Sequence, residues 1–322
     1  MIEVVITLAI VIMVMVIVLQ GVTAVEQSWK STATSSFTEA ESGFESMARN
    51  LASATLEPYW DYADSSGAFR TNSTSTFTPD HLARRSDLDF VCGPGNGTNG
   101  LLAGSGRITS GSAVFFMQPA GYSQTLANTG MERLLNARGY FVEFGDDSDV
   151  PSFFPATSHR WRWRLKEVRQ EAEALQVFTV SKSSDWMGKL VAPGAITSVV
   201  ADNVILLIVL PERSASDSGT PLAQDFRYDS RDDGNPLTRH QLPPRLRLVL
   251  MAMDEASAQI LAQQNGSNPP GLVAANLFQQ ASSLDTDLVT LDATLTAQKI
   301  RHRLFQREIL LNGAAWSNTT SQ

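Results

Sequence analysis

The first apolar stretch of the chain is long and almost uninterrupted. Residues Val4 to Leu19 are apolar except for Thr7, and a looser apolar stretch extends the run to Val25. Its length is about that of a bilayer span, which takes roughly 20 residues in a helix. Glu3 stands at the head of the run, where a carboxylate is costly in lipid unless another group pairs with it. The pattern predicts a transmembrane helix over residues 1–25.

A second apolar pattern follows, with a helical period. Apolar side chains recur every three or four residues, which places them in one stripe on a helix. Pro58 disfavours a helical conformation in the residue before it. The sequence therefore predicts one continuous helix from about Ile2 to about Leu56, with an amphipathic half over residues 26–57. We expect that half to pack on a sheet through the stripe Phe37, Ala40, Phe44, Met47, Leu51 and Ala54.

The rest of the chain, residues 58–322, alternates between strand patterns and turn-rich segments. Four leucines at helical spacing predict a second helix from Leu284 to about Lys299, and Ser214 to Pro244 is linker-like. Strands are predicted at Leu88–Cys92, Val114–Met117, Tyr140–Phe144, His159–Val168, Val199–Leu210, Leu246–Leu250 and Arg303–Leu311. These elements predict an α+β fold, in which the long N-terminal helix packs on a mainly antiparallel sheet of one globular domain.

Composition narrows the classes of function. The chain has 322 residues, 43% of them hydrophobic, which is enough to bury a core. A net charge of −8 disfavours a nucleic-acid partner, which demands a basic face. Cys92 is the single cysteine, so no intrachain disulfide can form, and the four histidines lie far apart in the sequence. We expect no nucleic-acid partner, no structural metal and no other cofactor.

Two local motifs suggest chemistry but favour a structural interpretation. Gly95 to Gly100 matches G-x-G-x-x-G, yet a Gly- and Ser-rich stretch and a strand follow it, where a dinucleotide site requires a helix. A turn that uses Gly and Asn is therefore expected. In Arg160 to Arg164, alternation places Trp161 and Trp163 opposite Arg162. We interpret this as a tryptophan pair in the core beneath a solvated basic edge, and not as a base-stacking surface.

The acidic turn at Asp146, Asp147 and Asp149 could offer oxygen ligands to Ca²⁺. It lacks a Gly and a distal Glu at the spacing of a calcium loop, so a solvated turn is favoured and calcium binding stays an alternative. The chain contains no G-x-S-x-G, H-E-x-x-H, C-x-x-C or Walker sequence. Cys92 is expected to be a small buried hydrophobic residue. We therefore expect no enzymatic activity.

The N-terminus resembles that of type IV pilins and type II secretion pseudopilins. Their precursors are cut within G-F-T-L-I-E, and an apolar helix follows the cut. Met1-Ile2-Glu3 aligns with the last three letters, with Met in place of Leu and with Gly-Phe-Thr missing. We interpret this as a start at an internal Met that leaves out a basic leader, which a prepilin peptidase would remove. The resemblance implies that Glu3 pairs with the N-terminal amine of a neighbouring subunit.

The resemblance extends along the chain. The segment FESMARNL, from Phe44 to Leu51, is similar to the helix of J-type minor pseudopilins. Further segments resemble the bacterial group called Verru_Chthon cassette protein C, which implies a structural role and no known reaction. They are YFVEFGDD at 140–147, RWRLKE at 162–167, NVILLIVLP at 203–211, LPPRLRLVLMAMDE at 242–255, and residues 303–316.

Together these features predict a pilin-like structural subunit, a minor pseudopilin of a type II secretion or type IV pilus-like assembly. Its expected partners are other pilin-like subunits and inner-membrane lipid. Its expected location is the inner membrane, as a single-pass protein with the C-terminal domain in the periplasm or at the cell surface. The alternative is an enzyme or binding module of the envelope, held by an ordinary signal-anchor and with no role for Glu3.

Overall fold

The structure is a computed structural model, in which the helices are few and short. It describes Met15 and residues 37–70, 76–146, 160–178, 186–192, 197–217, 219, 221–232 and 234–317. Met15 is helical, and four α-helical segments lie in the other ranges: α1 (residues 37–52), α2 (Trp186–Val191), α3 (Glu255–Asn265) and α4 (Leu284–Ala297). Single turns of 3₁₀ helix occur at Leu126–Asn128, Ala172–Ala174, Gln176–Phe178 and Ala281–Ser283.

Eleven strands lie in the described residues, and most of them belong to one sheet. They are β1 (Tyr59–Ala63), β2 (His81–Arg85), β3 (Phe90–Pro94), β4 (Ile108–Pro119), β5 (Leu135–Gly145), β6 (Arg162–Gln170), β7 (Thr197–Asp202), β8 (Val204–Glu212), β9 (Tyr228–Asp229), β10 (Arg245–Met253) and β11 (His302–Leu310).

Nine strands form a half-barrel, with β1 and β2 in a separate hairpin-like pair. The main path runs β11-β10-β8-β4-β5-β6-β7, and β3 leaves it at β4 and carries β9. All pairings are antiparallel except the one between β4 and β8, which consists of the single pair Gly111 and Leu207. The sheet therefore forks at β4.

The core follows from the composition of the central strands. In β8, every residue from Val204 to Leu210 is buried, as expected for an unbroken apolar strand that is covered on both faces. In β10, the first residues alternate between half-buried and buried, and the later ones are all buried. The single cluster that these strands form includes the buried residues of α1 and α4.

The predicted α+β fold with a long N-terminal helix is wrong, because the protein is mostly β-sheet with short helices. Helix α1 ends at Ala52, before the predicted end at Leu56. The physical reason is a non-local hydrogen bond: the Thr55 N–H donates to the Met117 carbonyl at 2.9 Å, so the chain after Ala52 joins the end of β4. The end of the helix is therefore set by the sheet and not by Pro58.

The predicted transmembrane helix over residues 1–25 and the inner-membrane location that followed from it are also corrected. Within the part of the chain that the structure describes, none of the helices has the length and apolar character needed to cross a bilayer. The residues of the apolar run other than Met15 lie outside the described ranges.

Several expectations for the remaining chain can be compared with the strands and helices directly. Helix α4 is confirmed, with its four leucines buried. The predicted strand at 199–210 is two strands, because Asn203 adopts a φ of 60° and turns the chain between β7 and β8. The supposed linker at 214–244 contributes Leu222, Phe226 and Tyr228 to the core.

Candidate functional site

Helix α1 buries one stripe in the core of the half-barrel. Phe37 is half-buried against the core, and the other predicted packing residues are fully buried, with Phe44 3% and both Met47 and Leu51 0% exposed. The Phe44 ring lies 6.1 Å from that of Phe305 in β11, centroid to centroid. Such burial contributes about 1.5–3 kcal/mol for each large apolar side chain.

The same helix contacts both end strands of the sheet. On the β7 side, the Asp202 N–H donates to Glu39 Oε1 at 3.2 Å, and Gly43 lies against Val200. A Cβ on Gly43 would come within 2.9 Å of Val200 Cγ1, so the close approach depends on the absence of a side chain.

On the β11 side, two ion pairs face the helix. Arg303 pairs with Glu41 at 3.5 Å, and Arg307 pairs with Glu45. These side chains are largely exposed, so each pair contributes less than about 1 kcal/mol. A helix that contacts β7 and β11 at once lies across the open side of the half-barrel.

The C-terminal end of α1 is held by a polar network. Asn50 Nδ2 donates to the Tyr140 hydroxyl at 2.7 Å, and that hydroxyl donates to Glu167 Oε1 at 2.5 Å. Arg138 Nη1 donates to the same carboxylate oxygen at 2.8 Å. Burial, together with the Glu167 charge, raises the pKa of Tyr140, which therefore stays protonated and donates. The network fixes where the helix ends relative to β5 and β6.

The outward face of α1 is polar. Its exposed residues are Thr38, Glu39, Glu41, Ser42 and Arg49. Because this face carries no large apolar side chain, it gives no hydrophobic surface on which a partner could dock.

The structure describes only some of the remaining predicted site residues. Glu3 lies outside the described residues, as do Asp147 and Asp149 of the possible calcium turn. Asp146 is half-buried, and its carbonyl accepts a 3.0 Å hydrogen bond from Arg164 Nη1. Among the residues the structure describes, no three His, Cys, Asp or Glu side chains converge as metal ligands.

The glycine cluster forms a turn. The Gly100 N–H donates to the Gly97 carbonyl at 3.1 Å, and Gly97 has a φ of 83°, which suits glycine. The next element is β4, so the loop does not open on a helix as a dinucleotide site requires.

Cys92 is buried between β4 and β9, and its Sγ lies 4.0 Å from the Phe226 carbonyl. Burial raises the pKa of its thiol, which keeps it protonated and unreactive as a nucleophile.

The basic face expected on β6 is buried, which corrects the solvated edge predicted from alternation. Arg162 is 6% and Arg164 is 2% exposed. Arg162 makes two hydrogen bonds of 2.6 Å to the Glu255 carboxylate, one to each oxygen, and Arg164 pairs with Asp202 at 2.8 Å. The partners lie 93 and 38 residues away in sequence, so no local pattern could have revealed them.

The contact with Arg162 also affects the pKa of Glu255. Burial raises it, but hydrogen bonds from Arg162, Asn203 and Gln259 outweigh the burial and lower the pKa to about 2. A lowered carboxyl pKa stabilises the folded state above the pKa of the unfolded chain, and that stabilisation is lost as the pH falls towards 2.

Comparisons with known proteins found no relative of this chain. No protein-family model matches the chain, no curated protein matches it, and no solved structure matches it.

Proposed function

We propose that this chain is a pilin-like structural subunit, comparable in role to a minor pseudopilin, that assembles with other pilin-like subunits. The observation that carries the proposal is the placement of α1. This helix is held across the half-barrel by a buried stripe and by contacts to both end strands. The proposal assigns no chemical reaction to the protein, and it does not include the transmembrane helix that the structure contradicts.

A helix held in this way is a rigid base for the segment that precedes it. The exposed face of α1 is polar, so it supplies no apolar contact of its own to a neighbour. The long apolar run lies instead at Val4 to Leu19, N-terminal to this base. In the proposed assembly these apolar segments pack against one another, and Glu3 pairs with the N-terminal amine of the next subunit.

The proposed pairing is tested by co-purification. A tagged full-length chain is recovered from its own cells with and without Glu3→Ala and Glu3→Gln, and proteins with pilin-like N-termini are quantified by mass spectrometry. Both variants remove the charge that pairs with the amine, so we expect recovery of these proteins to fall at least tenfold. Glu57→Ala is the matched control, because Glu57 is exposed and lies beyond the helix.

The outcome separates the two parts of the proposal. Loss of partners in the Glu3 variants, but not in Glu57→Ala, supports assembly through Glu3. Unchanged recovery in all variants removes the role of Glu3. Failure to recover any pilin-like protein with the unaltered chain contradicts the structural role itself.

A further inference from the structure

The fork in the sheet opens a cleft. One edge of β4 pairs with β3 from Ser112 to Phe116, and its backbone pairs with that of β8 at Gly111 and Leu207. Gly111 has a φ of 71°, and a Cβ there would lie 2.1 Å from the Leu207 carbonyl oxygen. Only glycine fits this crossing, and beyond it β3 and β8 diverge.

The cleft between the diverging strands has a volume of about 670 Å³. Its walls are the glycine loop after β3, the first half of β4, strand β8 and the segment at 269–279. The volume falls within the roughly 300–1,000 Å³ of sites that hold small organic ligands or short chain segments.

The lining is polar on one wall, apolar on another, and almost without charge. Asn96, Thr98 and Asn99 supply amides and a hydroxyl, whereas Val273 and Leu277 supply apolar surface. Among the described residues that line the cleft, none is acidic and Arg227 is the one cation.

The guanidinium of Arg227 already has partners within the protein. Its Nη1 donates to the Asn99 carbonyl at 2.8 Å, and its Nε lies 3.4 Å from the Asp225 carboxylate. A ligand that suits this lining is therefore uncharged.

Trp163 supplies a hydrogen-bond donor without an acceptor. It lines the cleft, and the residue is 7% exposed. Its indole Nε1 has no hydrogen-bond partner within the described part of the chain. Leaving a buried donor unpaired costs about 1–3 kcal/mol, which an acceptor in a bound ligand would recover.

We propose that the cleft binds a short, uncharged, extended peptide segment of a partner protein. Its apolar side chains pack on the wall of Val273 and Leu277, its backbone amides bond to Asn96 and Asn99, and one carbonyl accepts from Trp163 Nε1. A sugar is disfavoured because sugars stack on exposed ring faces, and the aromatic rings of this lining are buried, with Phe226 1% and Phe278 8% exposed. This binding is independent of the assembly role proposed above.

The test uses the full-length chain and fluorescence polarisation. The probes are labelled octapeptides with acetylated and amidated ends, in which Val, Leu or Phe alternates with Ser, Thr or Asn. A second set carries Lys or Glu at the polar positions, and cellotetraose serves as the sugar competitor. We expect the neutral set to contain peptides with a micromolar Kd, at least tenfold tighter than their charged counterparts, and cellotetraose not to displace them.

Three variants locate the binding in the cleft. Trp163→Phe keeps the ring and removes the donor, so we expect about fivefold weaker binding at an unchanged Tm, because the N–H has no partner to lose. Ala275→Trp places a large side chain at an exposed position of the wall and should abolish binding. Ala293→Trp makes the same change at an exposed position of α4 and should leave the affinity unchanged.

The proposal is overturned if no neutral peptide binds the unaltered chain with a Kd below about 1 mM. It is also overturned if Ala293→Trp weakens binding as much as Ala275→Trp, or if cellotetraose binds with the expected response to the variants. Equal affinity of Trp163→Phe and the unaltered chain removes the assigned role of the indole.

Discussion

Two gaps in the described part of the half-barrel differ in what lies across them. Across the gap between β7 and β11 lies α1, whose inward side chains are almost completely buried. The gap at the fork between β3 and β8 stays open and is lined in part by Ser, Thr and Asn side chains. Apolar walls left empty cost about 25 cal/mol for each Å² exposed to water, whereas polar walls can stay hydrated. Helix α1 therefore belongs to the core, whereas the cleft is a surface that can exchange water for a ligand.

A substitution at the floor of the cleft should destabilise the protein most. Gly111→Ala places a Cβ against the backbone of Leu207 in a left-handed conformation, and no side-chain rotation can relieve that contact. We expect a loss of at least about 3 kcal/mol in the free energy of unfolding, measured by urea denaturation. Gly97→Ala is the control, because its φ of 83° is similar but no atom lies within 4 Å, so only about 1 kcal/mol should be lost. Equal losses would show that the crossing of β4 and β8 is not tight.

Shortening one apolar side chain at each gap should lower the free energy of unfolding by different amounts. Phe44→Ala empties the space between α1 and β11, and we expect a loss of about 3 kcal/mol. Val273→Ala removes a half-buried side chain at the cleft and should cost less than about 1 kcal/mol. Both are measured as shifts in the urea midpoint. Similar shifts would mean that the packing of α1 contributes no more than the rim of the cleft.

Replacing one glycine at each gap should change the stability only slightly, and in opposite directions. In Gly43→Ala, the better helix propensity of alanine gains about 1 kcal/mol, but contacts of 2.9 Å to Val200 Cγ1 and 3.3 Å to its carbonyl cost more. We expect a net loss of about 1 kcal/mol. Gly271→Ala at the cleft meets no atom within 4 Å and should raise the stability by about 0.5 kcal/mol. Thermal melts of the two variants should therefore shift in opposite directions, and a common direction would refute the contrast.

The sequence predicted the features that depend on residues close together in the chain. The leucines of α4 and the buried stripe of α1 follow from helical spacing, and both were visible in the sequence. The end of α1 was not visible, because a hydrogen bond between Thr55 and Met117 sets it. The split at Asn203 was hidden inside an apolar run, since a single residue with positive φ makes the turn.

Interactions between distant residues account for the other differences. Alternation placed Arg162 and Arg164 in solvent, but Glu255 and Asp202 make their burial tolerable. The cleft draws its lining from separate segments, so no window of sequence contains it. The N-terminal apolar run predicted a long helix, whereas the described fold is mostly sheet with short helices.

The contacts between α1 and β11 also bear on when the protein can finish folding. Glu41 and Arg303 are 262 residues apart, as are Glu45 and Arg307. A ribosome that has released α1 must therefore synthesise most of the remaining chain before the strand that holds this helix exists. Until then the apolar stripe of α1 has only part of its binding surface, and contacts of such high sequence separation form slowly. Closure of the half-barrel consequently waits until β11 has left the ribosome, however early α1 has formed.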